Sequence, residues 1–264
     1  MWRGAGLYIT NIKALSEHEV GDQTYDVIFL CVKAYHLSSI LPILKSAANN
    51  QTLVVPILNS LCAGHYLRKQ LPHLNIYDGC IYITGFLSGH GEVSQYNQIF
   101  RIFYGLDEGE SRYDPHRTRI EREVLESKID IHYSSSITNE IFRKSTFTSA
   151  FASGAAYYNK QASDLQSDAP YRQLFISLLK ELKQISVFAN LGLKESFFEG
   201  NLRILDSLSA DFTASLQKDL LQQKPDERNE LVYDIVRLAE KHQVHIPCHT
   251  LVANHFGYSQ PLDL

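Results

Sequence analysis

Apolar positions along the chain fall into two textures, and the change comes near residue 135. Before it, apolar residues cluster in short unbroken runs. Asp26-Val-Ile-Phe-Leu-Cys-Val32 predicts a parallel strand covered on both faces, because a half-exposed strand would alternate. From His36 to Ala48, Ile40, Leu41 and Leu44 stand at helical spacing. Thr52-Leu-Val-Val-Pro-Ile-Leu58 predicts a second buried strand, with Pro56 a mark against it because proline has no N–H for a ladder. Strand, helix and strand in this order make a right-handed βαβ unit of the nucleotide-binding type. Further strands are expected at Cys80–Thr84 and Ile99–Tyr104, joined through a glycine-rich turn from Gly85 to Gly91.

After residue 135 the period lengthens. Ile137, Ile141 and Phe142, then Phe147, Ala150 and Phe151, recur every three to four residues and predict a long amphipathic helix. Pro170 suits the first turn of the next helix, where Leu174, Leu178, Leu182 and Ile185 form the apolar stripe and Gly192 a C-terminal stop. Leu231, Ile235, Leu238 and Ala239 mark another helix, which ends before Pro247. The expected architecture is α/β: a sheet domain over residues 1–135, then an all-helical domain over 136–264.

Composition narrows the class. Hydrophobic residues at 44% and charged residues at 20% are ordinary for a globular protein, and no apolar run is long enough to span a bilayer as a helix. A net charge of −4 gives no electrostatic footprint for nucleic acid or an anionic membrane, so neither is expected as a partner. Met1-Trp2-Arg3-Gly4 lacks the apolar core of a secretory signal. Cys31, Cys62, Cys80 and Cys248 lie far apart without a C-x-x-C pair, which points to reduced thiols and a cytoplasmic protein, with Cys31 a small hydrophobe in its strand. Two motif-like features are rejected. Gly4-Ala5-Gly6 follows no strand and has Ile9 where a dinucleotide fingerprint needs glycine. His242, His245, Cys248 and His249 fit no zinc-ligand spacing, so no metal is expected.

Four segments, in order, carry a family likeness: Val32-Lys33-Ala-Tyr35 after the first strand; Pro56-Ile-Leu-Asn59-Ser60 after the second; Glu140-Ile-Phe-Arg-Lys144 in the first long helix; and Ser215-Leu-Gln-Lys-Asp219 with Pro225-Asp-Glu227 following. Together they resemble ketopantoate reductase (2-dehydropantoate 2-reductase) over residues 7–255. The resemblance implies an incomplete Rossmann-like sheet domain followed by the helical substrate domain. It also implies reduction of ketopantoate to pantoate in pantothenate and coenzyme A biosynthesis, with NADPH as cofactor. By the same resemblance, Lys144 is the general acid and Glu227 the carboxylate that orients lysine and substrate. Ser215 would contact the substrate, Asn59 both substrate and nicotinamide, and Lys33 the cofactor; Thr148, a departure from the family's asparagine, could still keep one hydrogen bond to the substrate. An ammonium suits this chemistry, because hydride addition to a 2-oxo acid develops negative charge on the carbonyl oxygen.

Each residue also has a plainer reading. Lys144 beside Arg143 is a solvated helix lysine on composition alone. Glu227 could favour a helix dipole, Ser215 could bond its own helix, and Asn59 could serve a turn. Two departures from the family pattern stand out. The family opens with a strand, a glycine-rich turn and a helix, and here Gly6-Leu-Tyr-Ile9 resembles the stretch after its second strand. About one βαβ unit, roughly 35–40 residues, is therefore expected to be missing, which predicts weak dinucleotide binding and an exposed sheet edge that brings either reduced solubility or homodimer formation. Thr148 and Ala152, one and two turns after Lys144, replace the family's asparagines, which leaves open a different 2-oxo acid as substrate. A non-enzymatic reading, a folded remnant or oligomerisation module, rests on the missing fingerprint.

Overall fold

The computed structural model of the protein describes residues 13–107, 120, 129–167 and 169–259. The Gly4–Gly6 motif and the segment from Gly6 to Ile9 lie outside the described residues. The chain forms two compact units. One takes in the chain up to Leu58 and from Cys62 to Glu140; the other consists of Asn59–Leu61 and everything from Ile141 onward.

In the α/β unit, a short helix α1 (Glu17–Val20) precedes strand β1 (Val27–Leu30). A 3₁₀ turn (Ala34–His36) and helix α2 (Leu41–Ala47) lead to β2 (Leu53–Pro56), and α3 (Ala63–Gln70) leads to β3 (Asn75–Ile76). The three strands are parallel in the order β1-β2-β3. Strand β2 is the central one, and both its faces are covered. Val54 joins Leu30, Leu44, Leu67 and Leu71 on one side, while Leu53 and Val55 join Tyr77, Ile102 and Tyr104 on the other. That two-sided burial is why its sequence does not alternate. Pro56 fits because it ends the strand, and the next amide, Ile57 N, donates to Leu30 O at 3.0 Å.

Two expectations for this unit need correction. Strand β1 is an edge strand among the described residues, and Phe29 is 36% exposed, so the run is not covered on both faces. Cys31, just past its end, is exposed and does not act as a buried hydrophobe. The Gly85–Gly91 segment is strand for most of its length, and only its end is turn. Strand β4 (Asp78–Gly89) and β5 (Glu92–Gly105) form a long antiparallel hairpin, with only Gly91 at a positive φ of 74° in the tip. The register shifts between Ile83 and Gly85 and again between Leu87 and Gly89, so each glycine adjoins an irregularity in the ladder. Strand β6 (Asp130–Ser134) then pairs parallel to β5.

The second unit is helical among its described residues: α4 (Ile137–Tyr158, whose first turn belongs to the α/β unit), α5 (Ala162–Ser167), α6 (Ala169–Phe188), α7 (Phe197–Ser207), α8 (Ser215–Leu221), α9 (Asp234–Lys241) and α10 (Pro247–His255). One apolar cluster holds them. Phe175, Leu178, Leu179, Leu182 and Ile185 of α6 are fully buried against Phe142, Phe151, Leu216, Val232 and Val252. Helix α6 stops earlier than at the expected Gly192: Asn190, two residues past Phe188, takes the left-handed φ of 54°, and Leu191 N closes the end by donating to Ser186 O at 2.8 Å, while Gly192 lies beyond that stop. Immediately before α9, residues Asn229–Tyr233 form a π turn, with Asp234 N donating to Asn229 O. The regular apolar spacing does not predict this wider turn.

Candidate functional site

Helix α4 organises the candidate site. Lys144, Thr148 and Ala152 stand at intervals of four and so share one face, of which the first two are partly exposed and the third is buried. Lys144 is half-buried, and its Nζ donates to Asn59 Oδ1 at 2.6 Å. That is a charge-assisted hydrogen bond with a neutral acceptor, so it aims the ammonium without neutralising it. Asn59 stands three residues past the end of β2 but clusters with the helical unit, and so the bond lies within that unit. The reading of Asn59 as a turn residue alone therefore does not describe it.

One turn on, Thr148 Oγ1 donates to the carbonyls of Lys144 and Ser145, each at 3.3 Å. Its proton is committed to its own helix, so toward a ligand it offers lone pairs and a methyl group. Ala152 is buried in the apolar cluster. The face beyond Lys144 therefore becomes progressively less polar.

Glu227 is 2% exposed. It sits in the charged run Lys224–Arg228, but its neighbours resolve themselves. Asp226 accepts from Arg228 N at 2.9 Å and from Arg228 Nε at 2.9 and 3.1 Å, while Glu227 turns inward. Burial of a carboxylate in a segment that could have stayed solvated is costly unless polar partners meet it. Ser215 is the first residue of α8 and is exposed, while Leu216 and Gln217 after it are buried. Lys33 belongs to the α/β unit, partly buried where β1 gives way to the 3₁₀ turn. Thus Asn59 and Lys144 are in direct contact, Thr148 is their neighbour on α4, and Ser215 and Glu227 are in the same unit; Lys33 is in the other.

Several buried polar groups of α4 gave no sequence signal, because serine and threonine within an amphipathic helix look like ordinary surface residues. Thr146 shares hydrogen bonds with Asn201 of α7. Ser149, 1% exposed, donates to Leu231 O of the π turn at 2.6 Å. Elsewhere, Glu181 of α6 accepts from Cys248 N, His249 N and His249 Nδ1 at 2.7–2.9 Å. Burial raises the carboxyl's pKa, but the bonds from His249 and the two amides prevail and leave it below the ordinary glutamate value. Asp234 goes the other way: burial pushes it up, against the Arg237 guanidinium at 2.7 Å. The histidine-rich stretch before Thr250 is thus partly consumed in capping α10. Among the described residues no group of three or more His, Cys, Asp or Glu side chains could hold a metal ion, and no helix is long and apolar enough to cross a membrane.

Comparison with known proteins agrees with this layout. Residues 6–107 match the model of ketopantoate reductase PanE/ApbA, and residues 136–258 match that of its C-terminal domain. An uncharacterised oxidoreductase of Bacillus subtilis, YkpB, is 22% identical over 246 residues, covering 91% of this chain and 78% of that protein. A dimeric ketopantoate reductase from Staphylococcus aureus superposes with a TM-score of 0.75 at 21% identity, covering 90% of this chain and 78% of that one. A D-mandelate dehydrogenase in a ternary complex with NADH and anilino(oxo)acetate does so with a TM-score of 0.76 at 19% identity, covering 89% and 75%.

Proposed function

The chain belongs to the ketopantoate reductase family of oxidoreductases, and on that premise we propose that it reduces 2-dehydropantoate to pantoate with NADPH. Lys144 acts as general acid. The observation that carries this reading is the 2.6 Å bond from Lys144 Nζ to Asn59 Oδ1, which holds an ammonium in place through a neutral amide. The dinucleotide supplies the hydride when bound. Lys33 and Asn59 fit it by position and chemistry, since each follows the carboxyl end of a parallel strand, where open α/β sheets take nucleotides, and one is a cation.

The remaining roles are set by charge. As the keto carbon gains the hydride, its oxygen becomes an alkoxide, and the Lys144 ammonium stabilises that charge and then transfers a proton to it. Glu227, a buried acidic side chain of the same unit, orients the lysine and the substrate. Ser215 and Thr148 contact the substrate's polar groups. The protein works as a cytoplasmic homodimer, in keeping with its four free cysteines and with the dimeric state of the Staphylococcus aureus relative.

A second reading keeps the chemistry and changes the substrate to a 2-oxo acid with a less polar side chain. Thr148, whose hydroxyl proton is committed to α4, and the buried Ala152 favour it. The test is one assay series: oxidation of NADPH and NADH with ketopantoate and with aliphatic and aromatic 2-oxo acids, in the parent and in Lys144→Ala. A general acid of this kind contributes about 10²–10⁴-fold, so Lys144→Ala should lose turnover by that factor. Parental turnover in that variant would remove the mechanism. A preference for ketopantoate would remove the second reading.

A further inference from the structure

We propose that Ser149 is a positioning residue, which fixes the segment carrying Glu227 against the helix that carries Lys144. The inference rests on the proposed reading of those two residues. Its basis is a continuous chain of hydrogen bonds. Ser149 Oγ donates to the carbonyl of Leu231 at 2.6 Å. Leu231 N in turn donates to the carbonyl of Glu227 at 2.9 Å. Two bonds and one residue thus connect the α4 side chain to the backbone of Glu227.

Every member of the chain is shielded from water. Ser149 is 1%, Leu231 5% and Glu227 2% exposed. A bond in such surroundings does not exchange with solvent, and leaving either end unmet is costly. The site of attachment matters as well. Leu231 is the middle residue of the π turn Asn229–Tyr233, a geometry that disturbs the regular ladder and is frequent at functional sites. The turn interrupts the regular i→i−4 ladder, so a donor from outside it adds a fixed point to the stretch from Glu227 to Tyr233. Ser149 supplies that donor from a rigid element. Lys144 lies five residues earlier on the same helix, about 7.5 Å along its axis at the α-helical rise. Both ends of the proposed lysine–carboxylate pair are therefore referenced to α4, the lysine directly and the glutamate through Ser149.

The test has two readouts in the 264-residue chain. In turnover of the preferred 2-oxo acid, Ser149→Ala should lower kcat about tenfold, since displacing a catalytic group by about 1 Å can cost up to about 100-fold. KM for the dinucleotide should stay unchanged, and Ser149→Thr, which keeps the hydroxyl, should restore kcat. In a Glu227→Gln background, Ser149→Ala should cost nothing further, because the serine acts through the glutamate. An undiminished loss in that background means a merely structural serine and overturns the proposal. The second readout needs no activity. Hydrogen exchange at the Leu231 amide should accelerate in Ser149→Ala while the amides of α6 keep their protection, and unchanged Leu231 protection also overturns the proposal. If Ser149→Ala does not fold, Ser149→Cys, similar in size but a weak donor, is read by the same exchange measurement. Parental turnover in Lys144→Ala and Glu227→Gln would fail the catalytic reading alone, and the exchange result would still judge the tether.

Discussion

At the scale of single residues, the fold repeatedly uses one polar side chain to finish the backbone of another element. Glu181 does this for α10, whose first amides would otherwise be buried donors without acceptors. The consequence is a specific pH dependence. Because its folded-state pKa is depressed, the ionised form of Glu181 is favoured by folding. That stabilisation is present above the ordinary glutamate value and is lost as pH falls through the lower folded-state value. Glu181→Gln cannot ionise and turns an amide NH₂ toward donors, so it should be destabilised by about 1–3 kcal/mol near neutrality, the cost of unmet buried hydrogen bonds. The gap should narrow as the solution is acidified below the carboxylate range. Urea unfolding of both proteins from neutral to acid pH checks this, and a gap that does not change with pH would refute the assignment. His249 takes part as a hydrogen-bonded neighbour of this carboxylate at 2.7 Å, a role that its place in a histidine-rich stretch does not suggest.

At the scale of elements, the features legible in the sequence are those that burial alone determines. Strand β2 is legible because both faces are covered, and α4 and α6 because their stripes face one core. The hairpin is legible in part: the expected strands at Cys80–Thr84 and Ile99–Tyr104 form, but they run on through most of the Gly85–Gly91 stretch, because glycine signals a turn and an irregular strand equally well. The π turn is invisible because Leu231, Ile235 and Leu238 fit an α-helical stripe just as well. Of the candidate site, residue types and order are legible, but the Lys144–Asn59 contact spans 85 positions and has no local signature. Nor has the close approach of β5 to β6. A Cβ built on Gly105 would collide with Ser134 O, its register partner, and crowd the rest of that residue's backbone. Gly105→Ala must therefore push the two strands apart, and overpacking of this kind costs about 1–3 kcal/mol. A drop of that order in the unfolding free energy, with faster exchange in β6, is the expected result. An unchanged midpoint would mean that β6 yields freely.

At the scale of the whole molecule, sequence and packing divide the chain differently. The texture of apolar spacing suggests a cut at 135/136, whereas the helical unit also claims Asn59–Leu61 from the middle of the α/β sequence. Those three residues are not incidental to it. Leu61 packs against the helical core, and Asn59 accepts from Lys144. A fragment of residues 136–264 should therefore form its helices, since their apolar contacts are mostly internal, but hold them less firmly than the intact chain does. Leu61 is only partly covered, so its loss is worth about 1–2 kcal/mol, less than removing a fully buried leucine. Leu61→Ala in the full chain should reproduce most of the deficit, because it removes the same packing and leaves covalent connection intact. Native-state hydrogen exchange of the α6 amides, compared among fragment, variant and parent, measures both effects on one scale. Protection in the fragment equal to that in the parent would show that the helical unit is self-sufficient. It would also show that the Asn59 segment reaches it for the sake of the lysine rather than for stability.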